Sequence, residues 1–205
     1  MMTKRLLLPL LFSLCAAAFA QDGFRPLFNG KNLDGWDGDP RMWKVQDGMI
    51  IGSTEGVEMT DNSFLVSKKS YSDFILKAQM KLRNVNSGIQ FRSELVPGKQ
   101  WVMRGYQFDA GETTYWGNLY EEKSPKRRGI MVNSWAEKGS KVAKLKDWND
   151  VEIFCQGDHI QLKLNGVVTA DLHDSEKSEG LFGLQLHRGP GMQVYFRDIK
   201  IKELK

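Results

Sequence analysis

Hydrophobic and polar residues alternate with a period of two over several stretches of this chain. Phe74, Leu76, Ala78, Met80 and Leu82 alternate with Ile75, Lys77, Gln79, Lys81 and Arg83. Val151, Ile153 and Cys155 alternate with Glu152, Phe154 and Gln156, and Ile160, Leu162 and Leu164 with His159, Gln161 and Lys163. Successive strand side chains point to opposite faces, so the pattern predicts strands with one buried face. Asn165-Gly166 then supplies a turn that needs positive φ, with Val167 and Val168 starting the return strand. Val194 and Phe196 share one parity while Ile199 and Ile201 carry the other, which predicts a bulge near Arg197-Asp198. A further strand is expected from Trp43 to Ile51. No stretch shows an amphipathic helical period. The expectation is an all-β jelly-roll sandwich of two antiparallel sheets rather than a small barrel.

Such a sandwich buries one face of each sheet, so function is sought on the opposite faces. Three segments carry a similar polar pair there. Gln90 and Arg92 oppose Ile89 and Phe91; Gln107 and Asp109 oppose Tyr106 and Phe108; Gln185 and His187 oppose Leu184 and Leu186. Any half-solvated strand shows polar residues opposite apolar ones, but three glutamines each two residues from a charged or titratable group is a pattern. Amides both donate and accept, which suits sugar hydroxyls. Arginine, aspartate and histidine add the ingredients of electrophile, base and acid.

Aromatic residues are the second clue. Of the six tryptophans, Trp36, Trp43 and Trp148 read as core or cap residues. Trp101, Tyr115 and Trp116 sit in turn-rich polar segments, where rings either plug the sandwich end or stack on a pyranose. Glu55 in a glycine-flanked loop, and Glu121 and Glu122 just after Trp116, are second-rank candidates. His159 reads as a solvated hairpin residue and His173 as a loop histidine; neither has the spacing of a zinc site.

The ends change the charge balance. Lys4 and Arg5, the apolar run Leu6 to Leu14 and Ala18-Phe19-Ala20 form a secretory signal peptide over residues 1–20. This leaves one expected domain over 21–205 and an exported protein, periplasmic or secreted. Lipidation at Cys15 is disfavoured because Leu14 stands where a lipobox wants a small residue. The chain has 29 basic and 25 acidic residues; losing Lys4 and Arg5 leaves 27 against 25, a net of +2. That near balance argues against a nucleic-acid partner. Cys155 remains alone, so no internal disulfide supports the fold. No other segment reaches membrane-spanning length.

Several motifs then point to a family. The opening Phe28-Asn29-Gly30-Lys31-Asn32-Leu33-Asp34-Gly35-Trp36 resembles the start of the 3-keto-disaccharide hydrolase family. Trp43-Lys44-Val45-Gln46-Asp47-Gly48, Asn86-Ser87-Gly88-Ile89-Gln90-Phe91-Arg92, Gly105-Tyr106-Gln107 and Phe196-Arg197-Asp198-Ile199-Lys200-Ile201 resemble it in the same order. The likeness runs from about Gly23 to Leu204. It implies a concanavalin A-like jelly roll acting on glycosides oxidised to a ketone at C3, a substrate that an upstream sugar oxidoreductase has to supply. A C3 ketone acidifies the C2 proton, so a base, an oxyanion stabiliser and an acid for the leaving group suffice. On this resemblance, Asp109 or His187 is the base, Arg92 stabilises the enolate and Glu121 protonates the leaving group. Gln90, Gln107, Gln185 and Glu55 contact the substrate and Trp116 stacks on the ring. A divalent metal on Asp109, Glu121 or His187 is an alternative electrophile, although no diagnostic ligand spacing supports one. A non-catalytic, lectin-like carbohydrate binder is the competing reading.

Overall fold

The structure is a computed structural model that describes residues 23–189 and 191–205. The signal peptide expected at 1–20 lies outside the described residues. In chain order the strands are β1 (Arg25–Pro26), β2 (Trp36–Asp37), β3 (Trp43–Gln46), β4 (Met49–Ser53), β5 (Ser63–Ser67), β6 (Phe74–Leu82), β7 (Asn86–Leu95) and β8 (Met103–Gly111). There follow β9 (Asn118–Glu122), β10 (Gly129–Val132), β11 (Asn149–Gln156), β12 (His159–Leu164), β13 (Val167–His173), β14 (Leu181–Leu186) and β15 (Gln193–Glu203). The back sheet runs β13-β12-β11-β6-β15-β4-β3, with β1 paired to β15. The front sheet runs β10-β9-β8-β7-β14-β5-β2. Every pairing in both sheets is antiparallel. The all-β, two-sheet jelly roll is as expected.

The alternation read from the sequence sets the core. On the back sheet the apolar parity of β6, β11 and β12 is buried from Phe74 to Leu164. It packs on Ile89, Phe91, Phe108, Leu184 and Leu186 of the front sheet. Each large side chain so buried contributes about 1.5–3 kcal/mol. The Asn165-Gly166 turn has both residues at positive φ, 48° and 82°. The bulge also forms: the β15–β6 register shifts between Arg197 and Lys200, with Asp198 at φ 52°.

Two expectations change. The single strand from Trp43 to Ile51 is a hairpin, β3 to β4, because Asp47-Gly48 turns the chain with φ 51° and 72°. A short helical segment, Trp135–Gly139 running into Ser140–Val142, interrupts the all-strand pattern. No helix among the described residues is long and apolar enough to cross a membrane. Cys155 is buried in the core, and burial pushes its thiol up to about 12, so it packs as an inert small apolar group.

Candidate functional site

Strand register builds a polar cleft on the outer face of the front sheet. Ile89, Phe108 and Leu119 lie on adjoining strands and face the core. The alternate positions therefore face outward. Gln107 pairs with Tyr120 and Asp109 with Asn118 across β8–β9, and Gly105 pairs with Glu122. Gly88 lies opposite Asp109 on β7. A Cβ at Gly88 would stand 2.5 Å from the Phe108 carbonyl oxygen and 2.7 Å from Gln107 Cδ, so only a glycine keeps this part of the floor flat. The cleft holds about 480 Å³. Asn86, Gln107, Asp109, Tyr120, Glu122 and Gln185 line its sheet side. Loops supply Asp61 and Asn62, Tyr115, Lys123, and His187 with Arg188, while β10 supplies Ile130.

Amides join the two carboxyl groups of the floor. Asp109 Oδ1 accepts from Asn86 Nδ2 at 3.1 Å, Gln107 Nε2 at 3.2 Å and the Ala110 amide at 3.1 Å. Oδ2 receives no hydrogen bond among the described residues, although Asp109 is only 7% exposed. Gln107 Nε2 also reaches Gln185 Oε1 at 3.3 Å, and Gln185 Nε2 reaches Glu122 Oε2 at 3.4 Å. Asn62 Nδ2 approaches the other Glu122 oxygen at 3.4 Å.

Burial pushes the Asp109 carboxyl above its ordinary range, against the pull of the Asn86 and Gln107 amides, the Ala110 N–H and the charge of His187. Glu122 is raised too, by burial first; Lys123 opposes this and the charge of Asp109 reinforces it. Two carboxyl groups in one field favour the state in which one keeps a proton. The Tyr120 phenol is also raised, by burial and by both carboxylates. At the rim, Lys123 and then Lys99 hold Asp61 down at about 2.

His187 completes the titratable set. Its Nδ1 lies 2.7 Å from the Arg188 carbonyl oxygen, which only accepts, so Nδ1 carries the hydrogen and neutral His187 keeps a lone pair on Nε2. The Arg188 guanidinium makes no ion pair among the described residues, whereas Lys123 is tied to Asp61 at 2.8 Å.

Of the residues expected from sequence, Gln107, Asp109, Gln185 and His187 converge in this cleft. Gln90 is the cross-strand partner of Gln107 but lies buried, without lining the cleft, and neither atom of its amide head has a partner among the described residues. Arg92 is elsewhere. A bulge between Phe91 and Glu94, with Arg92 at φ 45°, breaks the alternation. Its guanidinium reaches Ser72 O at 2.9 Å, Gly157 O at 2.7 Å, Lys177 O at 3.3 Å and Asp73 Oδ1 at 2.9 Å. That cluster ties front strand β7 to the loops of the back sheet, so the Arg92 guanidinium is held there, away from the cleft, and does not serve an enolate in it.

Glu121 faces the other way from Glu122. It has the core parity of Leu119, pairs with Tyr106 and takes the Arg128 guanidinium, which also binds Asp174; Tyr106 Oη donates to Asp174 as well. Burial works to raise Glu121, but Arg128, the Ser124 hydroxyl and the charge of Lys177 together hold the group below its usual range. Trp116 is a core residue, 1% exposed, with no free face for a sugar. Glu55 is an exposed loop residue whose N–H donates to Ser53 Oγ, outside the cleft. With Glu121 and Asp109 on opposite faces, the cation set of Asp109, Glu121 and His187 does not converge. Among the described residues no group of three or more His, Cys, Asp or Glu is arranged to hold a metal ion.

Tyr120, Asn86, Asn62 and Arg188 are site residues that the sequence reading missed, and Glu122, a second-rank candidate there, lines the cleft as well. The parity signal for two of them is in the chain: Leu119 fixes the inward phase of β9, which sends Tyr120 and Glu122 outward. His159 and His173 stack at 4.8 Å on the β12–β13 hairpin, each against its own carboxylate, Asp171 and Asp158, far from this set. A larger cleft of about 640 Å³ lies on the back sheet, lined by Lys77, Gln79, Asp150, Glu152 and Lys163 among others. Lys77 and Lys163 neutralise Glu152 there, Gln79 donates to Asp150, and the one shifted carboxyl, Glu152, is held down rather than raised. The smaller cleft, with carboxyl groups poised upward, is the chemical site.

Residues 23–202 match the model of the 3-keto-alpha-glucoside-1,2-lyase-like domain. The chain belongs to this family. A role in carbohydrate chemistry comes with it. No curated protein matches the chain. Among solved structures, a putative glycosyl hydrolase from Parabacteroides distasonis ATCC 8503 shares the fold at TM-score 0.65 and 21% identity, covering 90% of this chain and 95% of that one. The carbohydrate binding module CBM66 from Bacillus subtilis aligns at TM-score 0.58 and 19% identity over 82% and 96% of the two chains. A Bacillus subtilis protein of unknown function with a galectin-like fold aligns at TM-score 0.62 and 12% identity over 88% and 94%. At these identities the likeness is one of fold.

Proposed function

We propose that the cleft breaks 3-keto-glycosides by 1,2-elimination, and that the protein is exported to meet a substrate made by a separate sugar oxidoreductase. The observation that carries this reading is the Asp109–Glu122 pair, two buried carboxyl groups raised in one cleft and joined by amides. Ionised Asp109 takes the C2 proton; His187 Nε2 is the alternative base. The C2–H electrons pass through the enolate to form the C1=C2 bond as the C1–O bond breaks. Protonated Glu122 delivers its proton to the departing oxygen, the role expected of Glu121. Atoms balance as one alcohol plus one unsaturated 3-keto sugar, and water adding across C1=C2 gives net hydrolysis. A raised carboxyl serves both roles: a stronger base when ionised, and an available acid when protonated. Arg188 takes the place assigned to Arg92 as electrophile for the enolate oxygen. Gln107 and Gln185 hold hydroxyl groups.

The test is turnover of the mature protein on a 3-keto-glucoside beside the same glucoside unoxidised, with and without chelator. Cleavage of the ketone alone supports elimination. Binding of the sugar without turnover of either assigns the cleft to a lectin-like role instead.

A further inference from the structure

Large exposed apolar side chains are few among the described residues: Leu95, Tyr115, Ile130, Leu145 and Val167. Two of these, Tyr115 at 43% exposure and Ile130 at 44%, line the cleft. Solvent exposure of such groups beside a polar floor marks a surface that a ligand covers.

Tyr115 is held there against its backbone preference. Its φ is 69°, in the left-handed region that a non-glycine residue occupies at a cost. The loop fixes it with three backbone hydrogen bonds: Gly111 N–H to Thr114 O at 2.8 Å, Asn118 N–H to Tyr115 O at 2.9 Å and Gly117 N–H to Asp109 O at 3.1 Å. The last of these anchors the loop on the residue assigned as base. A Cβ at Gly111 would stand 3.0 Å from Tyr115 Cδ2, so the ring rests on bare backbone beside the floor. Across the cleft lining, Ile130 pairs with Tyr120 on the adjoining strand.

The cleft therefore has two chemistries. Its floor offers acceptors and amides: Asp109, Glu122, Gln185, and the Gln107 Oε1, which is buried and unpartnered among the described residues. A hydroxyl-bearing ring satisfies those groups. Beyond the Asp61–Lys123 pair and Arg188, its rim offers an aromatic face and a branched aliphatic side chain, neither of which gives a second sugar's hydroxyls the partners they lose on leaving water. We infer that the leaving-group subsite is this rim, and that the substrate class is glycosides of apolar, planar aglycones such as phenols, not disaccharides. The bond assigned to break rests on the elimination reading above; the preference for an apolar aglycone is measurable apart from it.

The experiment compares kcat/KM for a 3-keto-glucoside bearing a phenyl aglycone with that for a 3-keto-disaccharide, in the parent protein, in Tyr115→Gly and in Ile130→Ser. Glycine suits the left-handed φ at 115 and Ile130 is outside the core, so both variants keep the fold. The parent is expected to favour the phenyl substrate by about tenfold or more, equivalent to about 1.4 kcal/mol. Tyr115→Gly should cut that ratio about tenfold and Ile130→Ser about threefold. A parent that prefers the disaccharide, or variants that leave the ratio unchanged, overturn the inference while leaving elimination standing. If neither ketone is cleaved, elimination falls, and equilibrium binding of phenyl glucoside against an unoxidised disaccharide decides the rim: equal affinities, or a preference unmoved by Tyr115→Gly, overturn it.

Discussion

Replacing Arg92 by Met separates a structural arginine from a catalytic one. The Arg92 side chain is 0% exposed and gives its hydrogens to three backbone carbonyls and to Asp73. Met fills much of the volume but donates nothing, so the carbonyls of Ser72, Gly157 and Lys177 each lose a charged donor. Asp73 suffers less: its side chain is 31% exposed and keeps the Gly157 N–H at 3.0 Å. At about 1 kcal/mol per deprived carbonyl, with little added for Asp73, the cost is about 3 kcal/mol. That stays inside the 5–15 kcal/mol typical of a domain, so the variant folds. For a domain of this size each kcal/mol moves Tm by about 2–4 °C, which predicts a fall of about 6–12 °C. Circular dichroism melts read the shift, and kcat on a 3-keto-glucoside well below the melt reads the chemistry. We expect the fall in Tm with kcat within about twofold of the parent. An unchanged Tm with lost turnover would refute the reasoning and return Arg92 to the enolate.

Asp109→Asn keeps an oxygen for its three donors but removes the base, so turnover should drop by about a hundredfold or more while sugar binding persists. Because the folded Asp109 carboxyl is raised, its protonated form stabilises the fold at low pH and that contribution is lost as pH rises from about 4 through the folded value. The variant should therefore gain Tm over the parent as pH is taken from 4 to 8; a gap that narrows instead contradicts the assignment. Arg128→Ala strands buried Glu121 without its cation; allowing for the part of Arg128 that is exposed, the cost is about 2–4 kcal/mol in a urea melt at neutral pH. Glu121 and Asp174 are held low in the parent, so that stabilisation is present above the ordinary carboxylate range and lost as pH falls below it. Parent and variant should converge in acid, and a constant gap down to pH 3 would contradict the pairing. Gly88→Ala pushes a methyl into Gln107 and the Phe108 carbonyl; kcat should fall about tenfold at a stability cost of about 1–3 kcal/mol, and a fully active variant would mean the Gln107 amide does not set up Asp109.

Strand faces were legible wherever alternation ran unbroken. Gln107 and Asp109 share the cleft because β8 keeps its phase through both, and β14 keeps its phase through Gln185, with His187 following one residue past the strand end. Arg92 was misplaced because a bulge depends on the register of the partner strand, which no local pattern encodes. Its neighbour Ser93 is buried and polar, a weak sign that the phase slips there. Trp116 and Tyr115 are adjacent aromatics, and composition alone does not say which enters the core; the tight loop resolves it by turning Tyr115 outward through a positive φ. The Trp43 to Ile51 hairpin was readable, since Asp-Gly is a strong two-residue turn signal.

Glu121 and Glu122 provide an internal comparison that explains the amides of the floor. They are consecutive on one strand, both largely buried, and they are shifted in opposite directions. Arg128 sits on Glu121, and a cation stabilises the ionised form enough to overcome burial. Glu122 instead meets the amides of Gln185 and Asn62, and Asp109 those of Asn86 and Gln107. A neutral donor orients a carboxyl group without supplying the charge that would hold it ionised, so burial prevails and both groups stay raised. Direction matters as well. Each glutamine spends its N–H on a carboxylate or on the next amide oxygen, so the chain from Glu122 to Asp109 leaves the Gln107 Oε1 as an unmet acceptor. An unsatisfied buried acceptor costs about 1–3 kcal/mol, and a ligand hydroxyl recovers it. The glutamines thus keep two carboxyl groups available for proton transfer and hold one acceptor open for the sugar, which a lysine or arginine at either position would not do.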